Sequence, residues 1–258
     1  MTTDGIEMTS KPTDIPLLIL AGGKATRLKH LAFDRPKYLQ PVTESMVFAD
    51  VHLKWVASHG FKRVVLGIGH LGEQIRQYCG NGARWNLEIS YIDDGQSPLG
   101  TGGAVRAALD PKLDLPFDIL AVTYGDTVLS VDVPLFLRRF AEAPWAQAAM
   151  TLFKNTVPGH TCNATLVGDK ALYDKKSPLP EWSYIDYGFL ALRRKAIEAF
   201  PPEQEAPFDL AEPLTELAQA GQVLGVPVST RFWEIGSPEA LSEFQAAFRS
   251  DFQSFLKL

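Results

Sequence analysis

The hydrophobic positions of the chain fall into short runs that alternate with stretches of helical spacing. Pro16 to Leu20 is a continuous apolar run that ends in glycines, the pattern of a buried strand. Val47, Phe48, Val51 and Trp55 recur at helical spacing within Val47 to Ser58. Arg63 to Ile68 predicts a second strand, Leu71 to Cys79 a short helix, and Leu87 to Ile92 a third strand. A helix opening at Gly103 and running to Leu109 precedes a fourth strand over Asp118 to Thr123. This alternation predicts an α/β fold whose central sheet is mixed, mostly parallel and covered on both faces. Such sheets bind ligands beyond the carboxyl ends of their strands, which directs attention to the loops after Leu20, Ile68, Ile92 and Thr123.

The second half is more broken. Ala148 to Phe153, Tyr187 to Leu192 and Gln222 to Val228 read as strands, while Pro178, Pro180, Pro201 and Pro202 break the pattern. Asp209 to Ala220 predicts a helix capped by Asp209, and Pro238 to Phe248 a helix capped by Ser237. Residues 1–13 read as a loose leader before one domain over 14–258, with a first half, 14–145, and a second, 146–258. Phe244, Phe248, Phe252 and Phe255 are placed to cover either the core or a partner copy, which leaves a homo-oligomer open.

Hydrophobic residues at 46% and charged residues at 21% exclude a disordered tail, a collagen-like fibre and a coiled-coil rod. A net charge of −5 does not suit a chain that coats nucleic acid or an anionic membrane. No apolar run is long enough to span a bilayer. Cys79 and Cys162 form no CxxC and read as free thiols in a reducing, cytoplasmic setting. The five histidines show no HExxH or HxH spacing.

The chemistry concentrates in the predicted loops. After Leu20 come Ala21, Gly22, Gly23, Lys24, then Arg27 and Lys29, with Lys37 ten residues beyond Arg27. Glycines admit a phosphate close to backbone N–H groups, and flanking cations hold a triphosphate and its leaving pyrophosphate. The loop is not GxxxxGK[ST]. Leu99-Gly100-Thr101-Gly102-Gly103-Ala104 opens a helix with small residues that permit close approach of a base or sugar. Asp126, in Tyr124-Gly125-Asp126-Thr127 at a strand end, is placed to hold Mg²⁺ against phosphate oxygens. A competing signal is Gly67-Ile68-Gly69-His70-Leu71-Gly72, a GxGxxG with Asp93 and Asp94 about twenty residues on, the spacing of an NAD(P)-binding oxidoreductase. Against it, the first strand–helix turn, where such a fingerprint normally sits, is already the Gly22-Gly23 loop.

The segment Leu20 to Val42 resembles the signature of the sugar-1-phosphate nucleotidyltransferases, L-A-G-G-x-G-T-R-L followed by P-K-P-L-x-P-V. The chain carries Leu20-Ala21-Gly22-Gly23, Thr26-Arg27-Leu28, Pro36-Lys37, Leu39 and Pro41-Val42 in register. Ala25 replaces a glycine and Tyr38 a proline of that pattern. Leu99 to Ala104 is similar to the family's L-G-T-G-G-A, Tyr124-Gly125-Asp126 to N-G-D, and Trp233 to Glu239 to W-x-D-x-G-T-P-E. Tyr124 there replaces asparagine and Glu234 aspartate. The combination of Asp174-Lys175, Ile185-Asp186-Tyr187-Gly188 and Glu234-Ile235-Gly236-Ser237-Pro238 resembles a branch near the heptose 1-phosphate guanylyltransferases.

The resemblance implies a Rossmann-like three-layer fold and transfer of a nucleotidyl group from an NTP to a sugar 1-phosphate, with GTP and a heptose or hexose as the leading pair. It implies Arg27, Lys37 and Asp126 as catalytic residues, with Asp126 and Glu234 holding Mg²⁺. Leu20, Ala21, Gly22, Gly23, Lys24, Gln96, Pro98, Gly100 and Thr101 would line the nucleotide site. Asn163, Lys175, Asp186 and Gly188 would face the acceptor. CTP or UTP as donor, a non-sugar phosphate as acceptor, the oxidoreductase and an inactive nucleotide-binding scaffold stand as alternatives.

Overall fold

A computed structural model describes residues 12–23, 27–28, 34–95, 97–155, 161–201 and 207–251. Four parallel strands come first: β1 (Leu17–Leu20), β2 (Arg63–Ile68), β3 (Glu88–Asp93) and β4 (Ile119–Tyr124). Helices α1 (Phe48–Ser58), α2 (Gly72–Cys79) and α3 (Gly100–Ala107) connect them. After the two-residue strand β5 (Thr127–Val128) and α4 (Val133–Ala141) come β6 (Ala148–Lys154), β7 (Ala164–Val167), β8 (Lys170–Tyr173) and β9 (Tyr184–Arg193). The short α5 (Arg194–Glu198), α6 (Ala211–Gln219), β10 (Val223–Val228), β11 (Trp233–Glu234) and α7 (Pro238–Ser250) complete the chain.

The main sheet has nine strands in the order β3-β2-β1-β4-β9-β6-β10-β8-β7. Only β8 and β9 run against the others, so the sheet is mixed, as the alternation predicts, and mostly parallel in strand direction, although four ladders are parallel and five antiparallel. Its two faces carry separate apolar layers, one built on Ile19, Leu66 and Ala121, the other on Leu18, Val65 and Val122. That division is what successive side chains of a strand buried on both faces produce. Phe244 and Phe248 of α7 are fully buried, Phe244 against Phe48, so they cover the core; Phe252 and Phe255 lie outside the described residues. Among the described residues no helix is long and apolar enough to cross a membrane.

Several elements depart from the sequence expectation for identifiable reasons. Pro134 hides α4, yet at the first turn its fixed φ suits a helix, and Asp132 caps that turn by accepting from Leu135 N at 2.9 Å. The buried stripe of α4 is Val133, Phe136, Leu137 and Phe140. Helix α6 starts at Ala211 rather than Asp209, whose carboxylate has three partners described below. Ser237 caps α7 as expected, accepting from Ala240 N at 3.2 Å. Strand β9 begins three residues before Tyr187 and passes through Gly188 at φ +97°. Two buried hydroxyls hold that irregular stretch. Thr123 Oγ1 donates to Gly188 O at 3.2 Å, and Thr151 Oγ1 donates to Phe189 O at 2.9 Å, where the β6–β9 register shifts. The Pro12–Asp14 turn precedes β1, so the last residues of the proposed leader already form a local turn.

Candidate active site

The carboxyl ends of β1 and β4 meet at two glycines with different tasks. Gly125 N donates to Leu20 O at 2.9 Å, and a Cβ on Gly125 would lie 2.8 Å from Ala21 Cβ, so this glycine lets the strand ends close up. A Cβ on Gly23 would meet nothing within 4 Å. Gly23 instead lines two cavities, which also share Leu20.

The smaller cavity, about 200 Å³, is the charged one, lined by Arg27, Lys37, Tyr38, Gly125, Asp126 and Gly236 among others. Lys37 Nζ donates to Asp126 Oδ2 at 2.5 Å, and both side chains are mostly shielded. Strand β11 pairs with β5, and Ile235 N donates to Asp126 O at 2.9 Å, which brings Glu234 beside the Asp126 turn. Glu234 Oε2 and Arg27 Nη2 lie 2.6 and 2.9 Å from where a Cβ on Gly236 would stand, so Gly236 makes room for both. The structure therefore gathers Arg27, Lys37, Asp126 and Glu234 from four separate segments. Among the described residues no group of three or more His, Cys, Asp or Glu side chains is placed to hold a metal ion. The two carboxylates are hard oxygen donors of the kind Mg²⁺ takes, with Asp126 Oδ2 held by Lys37.

Aromatic packing supports this charged corner. Tyr38, the departure from proline, is buried with its ring against Phe48 and His52. Burial pushes the His52 imidazole down to about 4, opposed by the Asp126 charge, so His52 is neutral at pH 7 and adds no cation. Burial pushes the Cys79 thiol up to about 12, which makes it an inert core thiol.

The larger cavity, about 610 Å³, is lined by Gly22, Gly67, Gly69, His70, Asp94, Pro98, Gly100 and Thr101 among others. Gly67 and Gly69 of the GxGxxG belong to this wall. A Cβ on Gly69 would lie 2.8 Å from Gly22 O, and one on Gly72 would lie 3.1 Å from the Ile68 side chain. Packing of the β2 loop against the β1 loop explains Gly69, and packing on Ile68 explains Gly72, so neither glycine needs a dinucleotide to account for it.

Gly100 and Gly102 also differ from expectation. A Cβ on Gly100, at φ +74°, would sit 2.4 Å from Phe208 O, and one on Gly102 would sit 2.1 Å from the Phe208 ring. Gly102 N donates to Phe208 O at 3.0 Å. The small residues of this motif thus dock the second half of the chain onto α3, while Gly100 and Thr101 still border the cavity. Ala is better than Gly in a helix by about 1 kcal/mol, but overpacking costs about 1–3 kcal/mol. With no space at Gly102, Gly102→Ala is expected to lower the melting temperature by several degrees. Gly23→Ala is expected to leave it unchanged and weaken nucleotide binding instead, and thermal melts with calorimetry read both effects.

Among the residues expected to face an acceptor, Asn163 Oδ1 accepts from Asp186 N at 2.8 Å, and Asp186 Oδ1 accepts from Gly188 N at 3.0 Å. Gly188 is not bare backbone for a sugar, because a Cβ there would lie 3.2 Å from Tyr124 Cδ2. The Tyr124 ring covers it. Lys175 Nζ donates to Asp209 Oδ2 at 2.6 Å. Lys24, Ala25 and Gln96 lie outside the described residues. Phe208 and Asp209 are the residues whose site roles the sequence does not disclose; Asp209 signals only a helix cap.

Burial pushes the Asp186 carboxyl up to about 6, against the pull of Gly188 N–H and Lys175. A raised folded pKa means the folded chain holds a proton that the unfolded chain has lost. Stability therefore falls as pH rises from about 4 to about 6 and carries the full penalty above that. Asp186→Asn, which keeps an acceptor for Gly188 N–H, is expected to be more stable than wild type at pH 7.5, by about 1–3 kcal/mol. The gain should vanish below pH 4, and denaturant melts across pH test it.

The model of the nucleotidyl transferase family matches residues 17–161. A UTP–glucose-1-phosphate uridylyltransferase of Synechocystis is 26% identical over 73% of the chain and 51% of its own length. A D-glycero-α-D-manno-heptose 1-phosphate guanylyltransferase of Aneurinibacillus thermoaerophilus is 30% identical over 47% of the chain and 50% of its own length. The chain thus spans about half the length of these curated relatives. The crystal structure of HddC from Yersinia pseudotuberculosis complexed with GMP-PN superposes with a TM-score of 0.71 and 21% identity, covering 91% of the chain and 99% of that structure.

Proposed function

The chain belongs to the nucleotidyl transferase family, and on that premise we propose that it transfers a nucleotidyl group from an NTP to a sugar 1-phosphate. The products are an NDP-sugar and pyrophosphate. The observation that carries the reading is the convergence of Gly23, Arg27, Lys37 and Asp126 on one cavity at the carboxyl ends of β1 and β4. GTP with a heptose or hexose 1-phosphate is the leading pair, supported by the heptose 1-phosphate guanylyltransferase among the relatives. Surface-glycan synthesis in the cytoplasm is the setting that such a product fits.

An oxygen of the acceptor phosphate bonds to the α-phosphorus while the bond from that phosphorus to the bridging oxygen breaks, and the electron pair leaves with pyrophosphate. The attacking phosphate is already ionised at neutral pH, so catalysis rests on alignment and charge neutralisation rather than on a protein base. Lys37 contacts the α-phosphate and Arg27 the departing pyrophosphate. The base occupies the larger cavity, between the Gly67–Gly69 turn and the first turn of α3. Asn163, Lys175 and Asp186 face the acceptor. The Asp126 and Glu234 carboxylates fit Mg²⁺, which when bound supplies further neutralisation of phosphate charge.

The test is pyrophosphate release with Mg²⁺ across the four ribo-NTPs, with heptose, mannose and other sugar 1-phosphates and a non-sugar phosphate as acceptors. Release with GTP and a heptose or hexose is expected. CTP, UTP or the non-sugar arm would replace the substrates and keep the reaction class. Silence in every arm, from folded protein that binds no NTP by calorimetry, would leave an inactive scaffold.

A further inference from the structure

We propose that Asp209 is a positioning residue that couples the two substrate pockets, an inference that rests on the transferase reading above. Its carboxylate joins side chains from both halves of the chain. Oδ1 accepts from Thr101 Oγ1 at 3.0 Å and from Ala211 N at 3.0 Å. Oδ2 accepts from Lys175 Nζ at 2.6 Å. The Thr101 hydroxyl accepts in turn from Leu210 N at 2.8 Å. Thr101 stands in the first turn of α3 and borders the larger cavity. Lys175 leaves the end of β8 on the acceptor side. A continuous chain of hydrogen bonds, Thr101–Asp209–Lys175, therefore links the nucleotide wall to the acceptor wall.

The backbone reinforces the same joint. Phe208 N donates to Leu99 O at 3.3 Å and Gly102 N donates to Phe208 O at 3.0 Å, so residues 208–210 cannot move without the start of α3. The Lys175–Asp209 pair is substantially exposed, so its ion-pair energy in water is small. Its value lies in geometry. An NTP that fixes the first turn of α3 also fixes Asp209, which holds the Lys175 ammonium where the acceptor's anionic phosphate arrives. The second substrate then meets a group already ordered, and its binding is tighter for that reason. The neighbouring Lys176 pairs with Glu212 at 2.7 Å and is not bonded to Asp209, which makes it an internal control.

Asp209→Asn separates the links. An asparagine retains an oxygen for Thr101 and Ala211 N, and its amide group, facing Lys175, cannot accept from an ammonium. Calorimetry would use the NTP and acceptor pair selected by pyrophosphate release, with the α,β-methylene analogue of that NTP to prevent turnover. In wild type the analogue is expected to tighten acceptor binding by roughly tenfold. In Asp209→Asn the analogue alone binds as in wild type, and the tightening is lost. Thr101→Val, which leaves Lys175 untouched, loses it too, and the double variant is no worse than either single one. Lys176→Ala keeps it. An unchanged coupling factor in Asp209→Asn would overturn the proposal, as would a uniform drop in both affinities with the melting temperature, which is a structural effect only. A wild type that binds both substrates without coupling overturns the proposal and spares the transferase reading. A folded wild type that binds no NTP removes that reading first and the coupling with it.

Discussion

Asp126→Asn is expected to lower turnover by about 10²–10³-fold with little change in melting temperature. The carboxylate faces the charged cavity, and its described side-chain partner is Lys37, at 2.5 Å. The turn that carries it is held by backbone instead: Gly125 N on Leu20 O, and Ile235 N on Asp126 O. Asparagine has the same volume and leaves those bonds in place. It removes one negative charge from the site that opposes Glu234, and it leaves Lys37 without its anion. Pyrophosphate release and a thermal melt on the same sample separate the two outcomes. Near-normal turnover would take Asp126 out of the chemistry, while a large loss of melting temperature would make its ion pair with Lys37 structural.

The parts of this site legible in the sequence are those where one residue type has one physical use in one local context. A glycine pair after a buried strand, cations around it and an aspartate at another strand end announce themselves within a few residues. Gly23, Arg27, Lys37 and Asp126 are indeed brought around one cavity. The opposite orientation of β9 was not legible, because a strand's direction depends on partners that the local sequence does not name. Glycines are equally ambiguous. Gly67, Gly69 and Gly72 spell a dinucleotide fingerprint, yet the missing side chains of Gly69 and Gly72 make space for Gly22 and Ile68. Gly102 suggests a ligand and instead receives Phe208, more than a hundred residues away, while Gly100 both abuts Phe208 and borders the larger cavity. Asp209 reads as a cap because Ala211 N is local, while Thr101 and Lys175 reach it from other parts of the chain.

Arg27→Ala is expected to depress kcat by about 10²–10³-fold, with a much smaller effect on the KM of the acceptor. The guanidinium borders the charged cavity beside Gly236 and is exposed, so its removal leaves no buried hole. A group that meets charge only as it develops on the leaving pyrophosphate acts on the transition state rather than on substrate affinity. Arg27→Lys should recover part of the rate, because a point charge remains while the planar fork that grips two phosphate oxygens is lost. The reverse reaction gives an independent view, since pyrophosphate is then a substrate. In that direction Arg27→Ala is expected to raise the KM for pyrophosphate by about tenfold or more, which corresponds to one charge-assisted contact of about 1.5–3 kcal/mol. The KM for the NDP-sugar should move far less. The opposite split, with the sugar side weakened and pyrophosphate unaffected, would place Arg27 on the acceptor and leave Lys37 as the cation at the phosphates.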